Sequence, residues 1–449
     1  MGDARWRLPL REGRGRGLHG LGVRTGRAVR GSTVKTRSEF ALGWKPLLAA
    51  MIGTACGASP VPFSSMPVVI GPIHDATGWD FKSISIGVTI YGIIASLTAP
   101  YVGSLADRYG VRKVALWSLF LFGVAFASMW IVPNNIWLFW AFWVVIGVIG
   151  IGSTPVTWSR AVSVWFDRNR GLALGLMLIG TSVAGIVVPL IAHWAVAAGG
   201  WRAAYPALAL LPLCIALPVG LLWFREPHPE ERPQTLADSS GALVGHTLAE
   251  AAREPRFWAL IASIAIISIA YGGAHIHMSQ MVQLHGFSKA ESDATIAIVA
   301  LGILAGRLIV GLLFDRLWAP GVAFVSLLLP ALGCYLLMGQ AESLTIVRAG
   351  AFLLGFAAGA ESDVIAFMAA RYFGLAHYGK IYGLLYMSFG IGSAISPVLY
   401  GSVRDATGNY DSMLAAAMLM FAIGGALLLT LGRYPETGAP DRAAEPQAA

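Results

Sequence analysis

The chain has 449 residues, of which 56% are hydrophobic and only 12% charged, and its mean hydropathy is +0.66. Soluble domains carry about a quarter charged residues, so composition excludes a soluble globular protein and indicates an integral membrane protein. The formal charge of +8 does not signal nucleic acid, because residues 1–37 hold nine Arg and Lys35 against Asp3 and Glu12, and the apolar body is close to neutral.

In chain order, residues 1–43 come first, a Gly- and Arg-rich stretch without the apolar core of a secretory signal. It reads as a disordered basic tail. Three origins are open: a polybasic segment touching anionic lipid, an organellar transit peptide, or translated upstream sequence left by a misplaced start, which is favoured. Apolar runs long enough to cross about 30 Å of hydrocarbon as helix then recur at 46–72, 83–105, 113–132, 136–161, 171–197 and 203–224. Residues 225–255, rich in Pro and mixed charge, interrupt them and read as a linker, with His246–Glu254 able to form a short amphipathic helix. Six more runs follow at 256–283, 293–314, 320–339, 344–370, 380–403 and 411–432, before a disordered tail at 435–449.

The expected architecture is an all-α membrane protein with twelve transmembrane helices in two six-helix bundles, 44–224 and 256–434. A β-barrel is disfavoured because the runs are long and lack period-two alternation. With both termini cytoplasmic, the short inside loops hold Arg108, Arg112, Lys113, Arg168, Arg170, Arg316, Arg371 and Lys380, against Lys82, Arg202, Lys289 and Arg404 outside, as the positive-inside rule requires. Cys56, Cys214 and Cys334 all fall in apolar runs and read as packing residues.

Internal repetition supports two halves. At an offset of 208 residues (311 minus 103), Gly103, Leu105, Asp107 and Arg108 recur as Gly311, Leu313, Asp315 and Arg316. At the same offset Gly147 recurs as Gly355, and Gly171, Gly175, Pro189 and Gly200 recur as Gly379, Gly383, Pro397 and Gly408.

The stretch "GSLADRYGVRKV" at 103–114 resembles the signature loop between the second and third helices of the major facilitator superfamily, and "GLLFDR" at 311–316 resembles its second copy. The resemblance implies a pseudo-symmetric secondary transporter with a central cavity and alternating access. It also implies a gating role for Gly103, Asp107, Arg108, Arg112, Gly311, Asp315 and Arg316, whose charges can latch one bundle to the other. Stretches at 158–205, 306–316 and 371–386 are similar to the bacterial branch related to monocarboxylate transporters and oxalate:formate antiporters, which implies a bacterial inner membrane and a small organic anion as substrate.

Ionisable groups inside spans mark candidate pathways: Arg160, His275, His277, Arg307, Glu361 and Asp363. Arg307 stands eight residues before Asp315 and so about 12 Å inside the helix end. A guanidinium there offers a planar fork to a carboxylate, and the resemblance implies the substrate-anion partner at this place. An ion pair with Glu361 or Asp363 is the competing reading. Arg160, seven residues before Asp167, is expected to snorkel. Glu361 and Asp363 lie about 200° apart around their helix, so they cannot both face one cavity; one of them is expected to carry a coupled proton. Tyr271 and His275 share a face and form a candidate hydrogen-bonding pair for substrate.

The "HIH" of 275–277 is not read as a metal site, since the two rings diverge on a helix, and "GLAHYGKI" at 374–381 lacks the Ser or Thr of a P-loop. No cofactor is expected, no enzyme is read, and the protein is expected to act as a monomer in the bilayer. Two specialised patterns of the relatives are missing: Ile303 stands four residues before Arg307 where an Asp is wanted, and neither 60–71 nor the eleventh span supplies a second cation. A proton-coupled anion carrier is therefore the leading reading. A drug or cation exporter and a non-transporting solute sensor are the alternatives.

Overall fold

The computed structural model describes residues 38–228, 231–233, 236, 243–339 and 343–435. Residues 1–37 and 436–449, and with them most of the two expected tails, lie outside that set. The tail expected to reach residue 43 ends earlier: Ser38 caps a helix, α1 (Glu39–Ala55), by accepting from the Ala41 amide. The Glu39 carboxylate in turn accepts the amides of Asp167, Arg168 and Asn169 at 3.1, 2.9 and 3.0 Å, ahead of α7.

The first span is two helices, α1 and α2 (Pro60–Thr77), broken at residues 56–59. After α3 (Phe81–Tyr109) and α4 (Val111–Ser128), the fourth span is broken too, into α5 (Ile136–Gly150) and α6 (Pro155–Trp165). Pro60 and Pro155 open the second piece of each broken span, where a missing N–H costs nothing. α7 (Arg170–Leu210) runs through the fifth span into the sixth, bent where Gly200 takes φ of 73°, and α8 (Leu217–Trp223) completes it.

The linker contains one turn of helix, α9 (Leu248–Ala251), held by a reciprocal cap between Thr247 and Glu250. It is tied to the second half where the His246 amide donates to Phe373 O and the Leu375 amide to Val244 O. The second half is α10 (Pro255–Leu284), α11 (Lys289–Phe314), α12 (Ala319–Leu336), α13 (Leu344–Phe373), α14 (Tyr378–Thr407) and α15 (Asp411–Leu429). With the long stretch Arg170–Trp223 counted as two crossings, the described residues make twelve spans.

The 208-residue repeat is visible in the packing. The halves meet along α3 against α14 and α7 against α11. A Cβ on Gly103 would come 1.8 Å from Gly379 O, and its repeat, Gly311, would meet Gly171 O at 2.7 Å. Gly383 abuts Ala99 O as Gly175 abuts Arg307 O, at 2.6 and 2.7 Å from the missing Cβ. Ala99 and Arg307 are themselves 208 residues apart, so the arginine occupies a site where the other half has a methyl. Gly200 and Gly408 both take positive φ, at 73° and 82°.

Within the second half, α11 and α13 close on a seam of small residues. A Cβ on Gly302, Gly306, Gly355 or Gly359 would come within 2.1 to 2.3 Å of a carbonyl oxygen on the facing helix. Small residues at four-residue spacing let membrane helices approach this closely. The seam fixes the backbone of Arg307 against Gly359.

Candidate functional site

A cavity of about 260 Å³ lies between the halves. Ser59, Pro60 and Ser64 of the first span, Pro155 of α6, and Leu178 and Thr181 of α7 line one side. Arg307 of α11, Ser362 and Ile365 of α13, and Tyr382, Tyr386 and Phe389 of α14 line the other.

The two broken spans bring their prolines here because they are stitched together. The Ala58 amide donates to Ser153 Oγ at 3.0 Å, and a Cβ on Gly57 would collide with Ser153 O. Carbonyls freed by the breaks are taken up locally. Tyr91 donates to Ala58 O, Thr157 to Gly152 O, and Trp158 Nε1 to Ser153 O at 2.9 Å. Since Pro60, Pro62 and Pro155 carry no N–H, these helix starts present few free donors. Among the lining residues Arg307 is the one charged side chain.

Arg307 is 7% exposed and is tethered through one nitrogen. Its Nη1 donates to Leu178 O, to Thr181 Oγ1 at 2.6 Å and to Ser182 Oγ at 3.2 Å, all on α7 of the opposite half. Its Nε has no hydrogen-bond partner among the described residues. The side chain thus joins the halves while one edge of its fork is left unpaired.

The two acids diverge as their spacing requires. Glu361, buried, meets Ser268 Oγ of α10 at 2.5 Å, and that hydroxyl also lies 2.7 Å from Ile264 O. Asp363, fully buried, lies on the other face, 3.4 Å from where a Cβ on Gly175 would sit, and neither carboxylate oxygen has a hydrogen-bond partner. No Arg307–Asp363 or Arg307–Glu361 ion pair is formed among the described residues. Tyr271 stacks on His275 at 5.5 Å between ring centroids, and neither lines the cavity. His277 instead bonds Pro397 O at 3.1 Å and Tyr410 at 3.0 Å, joining α10 to α14 and to the residue that precedes α15.

At one face of the molecule two carboxylates cross between the halves. Asp107, in the last turn of α3, accepts from the amides of Gly379 and Lys380 at 3.0 and 2.9 Å. Asp315, just past α11, accepts from Gly171 and Leu172 at 2.6 and 2.9 Å. Each acid sits on a helix start in the opposite half, where unpaired amides and the helix dipole favour negative charge. Burial nevertheless pushes the Asp315 carboxyl up to about 6, against the lowering pull of those amides.

The superfamily profile described as Major Facilitator Superfamily matches residues 47–397. The chain belongs to that superfamily. A 38 kDa protein of Thermoproteus tenax is 28% identical over 83% of this chain and 86% of its own length. Monocarboxylate transporter 13 of Bos taurus is 25% identical over 78% and 79%. The crystal structure of the human organic anion transporter MFSD10 superposes with a TM-score of 0.68 at 17% identity, over 87% of this chain and all of that one, which bears on the fold alone. A Major Facilitator Superfamily member of this kind is a multi-pass membrane transporter of small molecules and not an enzyme.

In this member two sequence expectations are corrected. Arg160 does not snorkel: it is 7% exposed, pairs with Asp107 at 3.2 Å and donates to Ala106 O at 2.9 Å, because α3 packs Asp107 directly opposite it. The basic residues of the signature loops do not cross between halves either. Arg108, Arg112 and Arg316 are exposed, and Arg112 bonds Leu221 O of its own half at 2.8 Å. The cavity hydroxyls of Ser59, Ser64, Thr181 and Ser362 escaped the sequence reading, since isolated Ser and Thr in an apolar run carry no distinguishing pattern. Tyr382 and Tyr386 did leave one: with Tyr378 they repeat every four residues, and their rings stack at 5.4 and 6.2 Å.

Proposed function

We infer that the protein carries a small monocarboxylate across the cytoplasmic membrane by alternating access, with a proton as the coupling ion. The observation that carries this reading is Arg307, the one charge among the cavity-lining residues, with a buried Nε that lacks a partner. A carboxylate is the chemical group that fits a guanidinium edge with two parallel hydrogen bonds, and leaving a buried charged donor unmet costs more than an ordinary hydrogen bond gains. The likeness to a protein named monocarboxylate transporter 13 supports the same class.

Proton coupling falls to the acids of α13. Ser268 has one proton and two acceptors in reach, Ile264 O and Glu361. A neutral Glu361 supplies the second hydrogen, donating to Ser268 while Ser268 donates to Ile264 O. Asp363 has no hydrogen-bond partner, and an ionised carboxylate so buried is costly. Of the two acids, Asp363 lies within electrostatic reach of Arg307, so a proton on it is felt at the anion site. The Asp107 and Asp315 contacts close the face of the signature loops, which the positive-inside pattern assigns to the cytoplasm.

Reconstitution into proteoliposomes tests this reading. Labelled pyruvate and benzoate should accumulate when the external pH is lowered, and Arg307→Gln should abolish accumulation. Extrusion of a cationic dye with no uptake of any monocarboxylate would sink it in favour of an exporter.

A further inference from the structure

The cavity is shaped more narrowly than for carboxylates in general. One wall is aromatic: Tyr382, Tyr386 and Phe389 stand at spacings of four and three residues on α14, with centroids 6.2 and 5.6 Å apart along the row. The ladder starts at Tyr378, whose hydroxyl is engaged by Ser159 and Ala366 O, and its far end opens into the cavity. The facing wall carries Ser59, Ser64 and Thr181, of which the Thr181 hydroxyl is already held by Arg307 and Leu178 O and that of Ser59 by Tyr386. A cavity of about 260 Å³ accommodates a single-ring acid, which covers more of its apolar wall than acetate or pyruvate can. Because Nη1 is already tied to α7, only one edge of Arg307 remains, which suits one carboxylate and not two.

We propose that the substrate is a single-ring aromatic monocarboxylate, with its carboxylate on the unpaired edge of Arg307 and its ring against Tyr382, Tyr386 and Phe389. This rests on the anion reading given above. Aromatic faces favour offset or edge-on rings over saturated groups of equal volume, so the preference is for the ring as such.

The test is calorimetric titration of the purified full-length protein with benzoate, cyclohexanecarboxylate, pyruvate and acetate. In the wild-type protein benzoate should bind about tenfold or more tightly than pyruvate, and more tightly than cyclohexanecarboxylate. Tyr386→Leu should weaken benzoate about twofold to tenfold with little effect on acetate, and Tyr386→Phe, which keeps the ring, should restore it. Equal binding of benzoate and cyclohexanecarboxylate overturns the aromatic preference. Pyruvate bound more tightly than benzoate, and dependent on Arg307, overturns this proposal while the anion reading stands. Binding of no carboxylate overturns both.

Discussion

The α11–α13 seam allows a quantitative perturbation next to the anion site. A Cβ on Gly359 would lie 2.2 Å from Ile303 O and 2.9 Å from the Arg307 amide nitrogen. Ordinary contact begins at 3.4 Å, so Gly359→Ala must push the helices apart by 1.2 Å (3.4 minus 2.2) or strain them. Over-packing of that kind costs about 1–3 kcal/mol. Gly185→Ala in α7 is the matched control: nothing lies within 4 Å of its Cβ position, and there a methyl should stabilise by about 0.4–1 kcal/mol through the unfolded chain. Thermal unfolding in detergent micelles should rank Gly185→Ala at or above wild type and Gly359→Ala clearly below it. Because the displaced backbone is that of Arg307, Gly359→Ala should also weaken carboxylate binding. A Gly359→Ala protein as stable as Gly185→Ala, with unchanged binding, would refute the close seam.

Asp107→Asn leaves Arg160 buried without its counter-charge, a loss of about 3–5 kcal/mol for a broken buried pair; spin labels at Arg112→Cys and Arg316→Cys should report an opened loop face and slowed transport, with substrate affinity nearly unchanged. Asp315 gives a pH signature. Its carboxyl is raised to about 6 in the closed form, so closure binds a proton; the closed population should grow as pH falls through about 6 and shrink as it rises, and Asp315→Asn should flatten that response. Glu361→Gln should abolish accumulation driven by a pH gradient yet spare exchange of labelled for unlabelled substrate, and retained accumulation would remove Glu361 from the coupling step.

Much of the fold could be read from the residues. Twelve apolar runs appear as twelve spans, and the 208-residue repeat reappears as paired glycine contacts and paired carboxylate latches. The breaks at 56–59 and 151–154 were hidden because the apolar runs continue through them, and only "SPVP" and "STP" hint at a restart. Arg160 departs from the snorkelling expectation because its partner Asp107 arrives from α3, which position along its own helix does not reveal. Arg307 was legible as an intramembrane charge from its position two turns inside a span, while its role toward an anion came only as what the family resemblance implies. Its tether to α7 was not legible, because Leu178, Thr181 and Ser182 lie more than a hundred residues away in sequence.

The account stands on the unpaired edge of Arg307, and calorimetric titration of wild-type, Arg307→Lys and Arg307→Gln proteins with benzoate and pyruvate tests it most directly. Lysine keeps the charge and loses the fork, so Arg307→Lys should bind about tenfold to a hundredfold more weakly, the equivalent of one charged hydrogen bond, and Arg307→Gln should show no binding, with both variants still unfolding cooperatively. Carboxylate affinity in Arg307→Lys and Arg307→Gln equal to that of the wild type would contradict it.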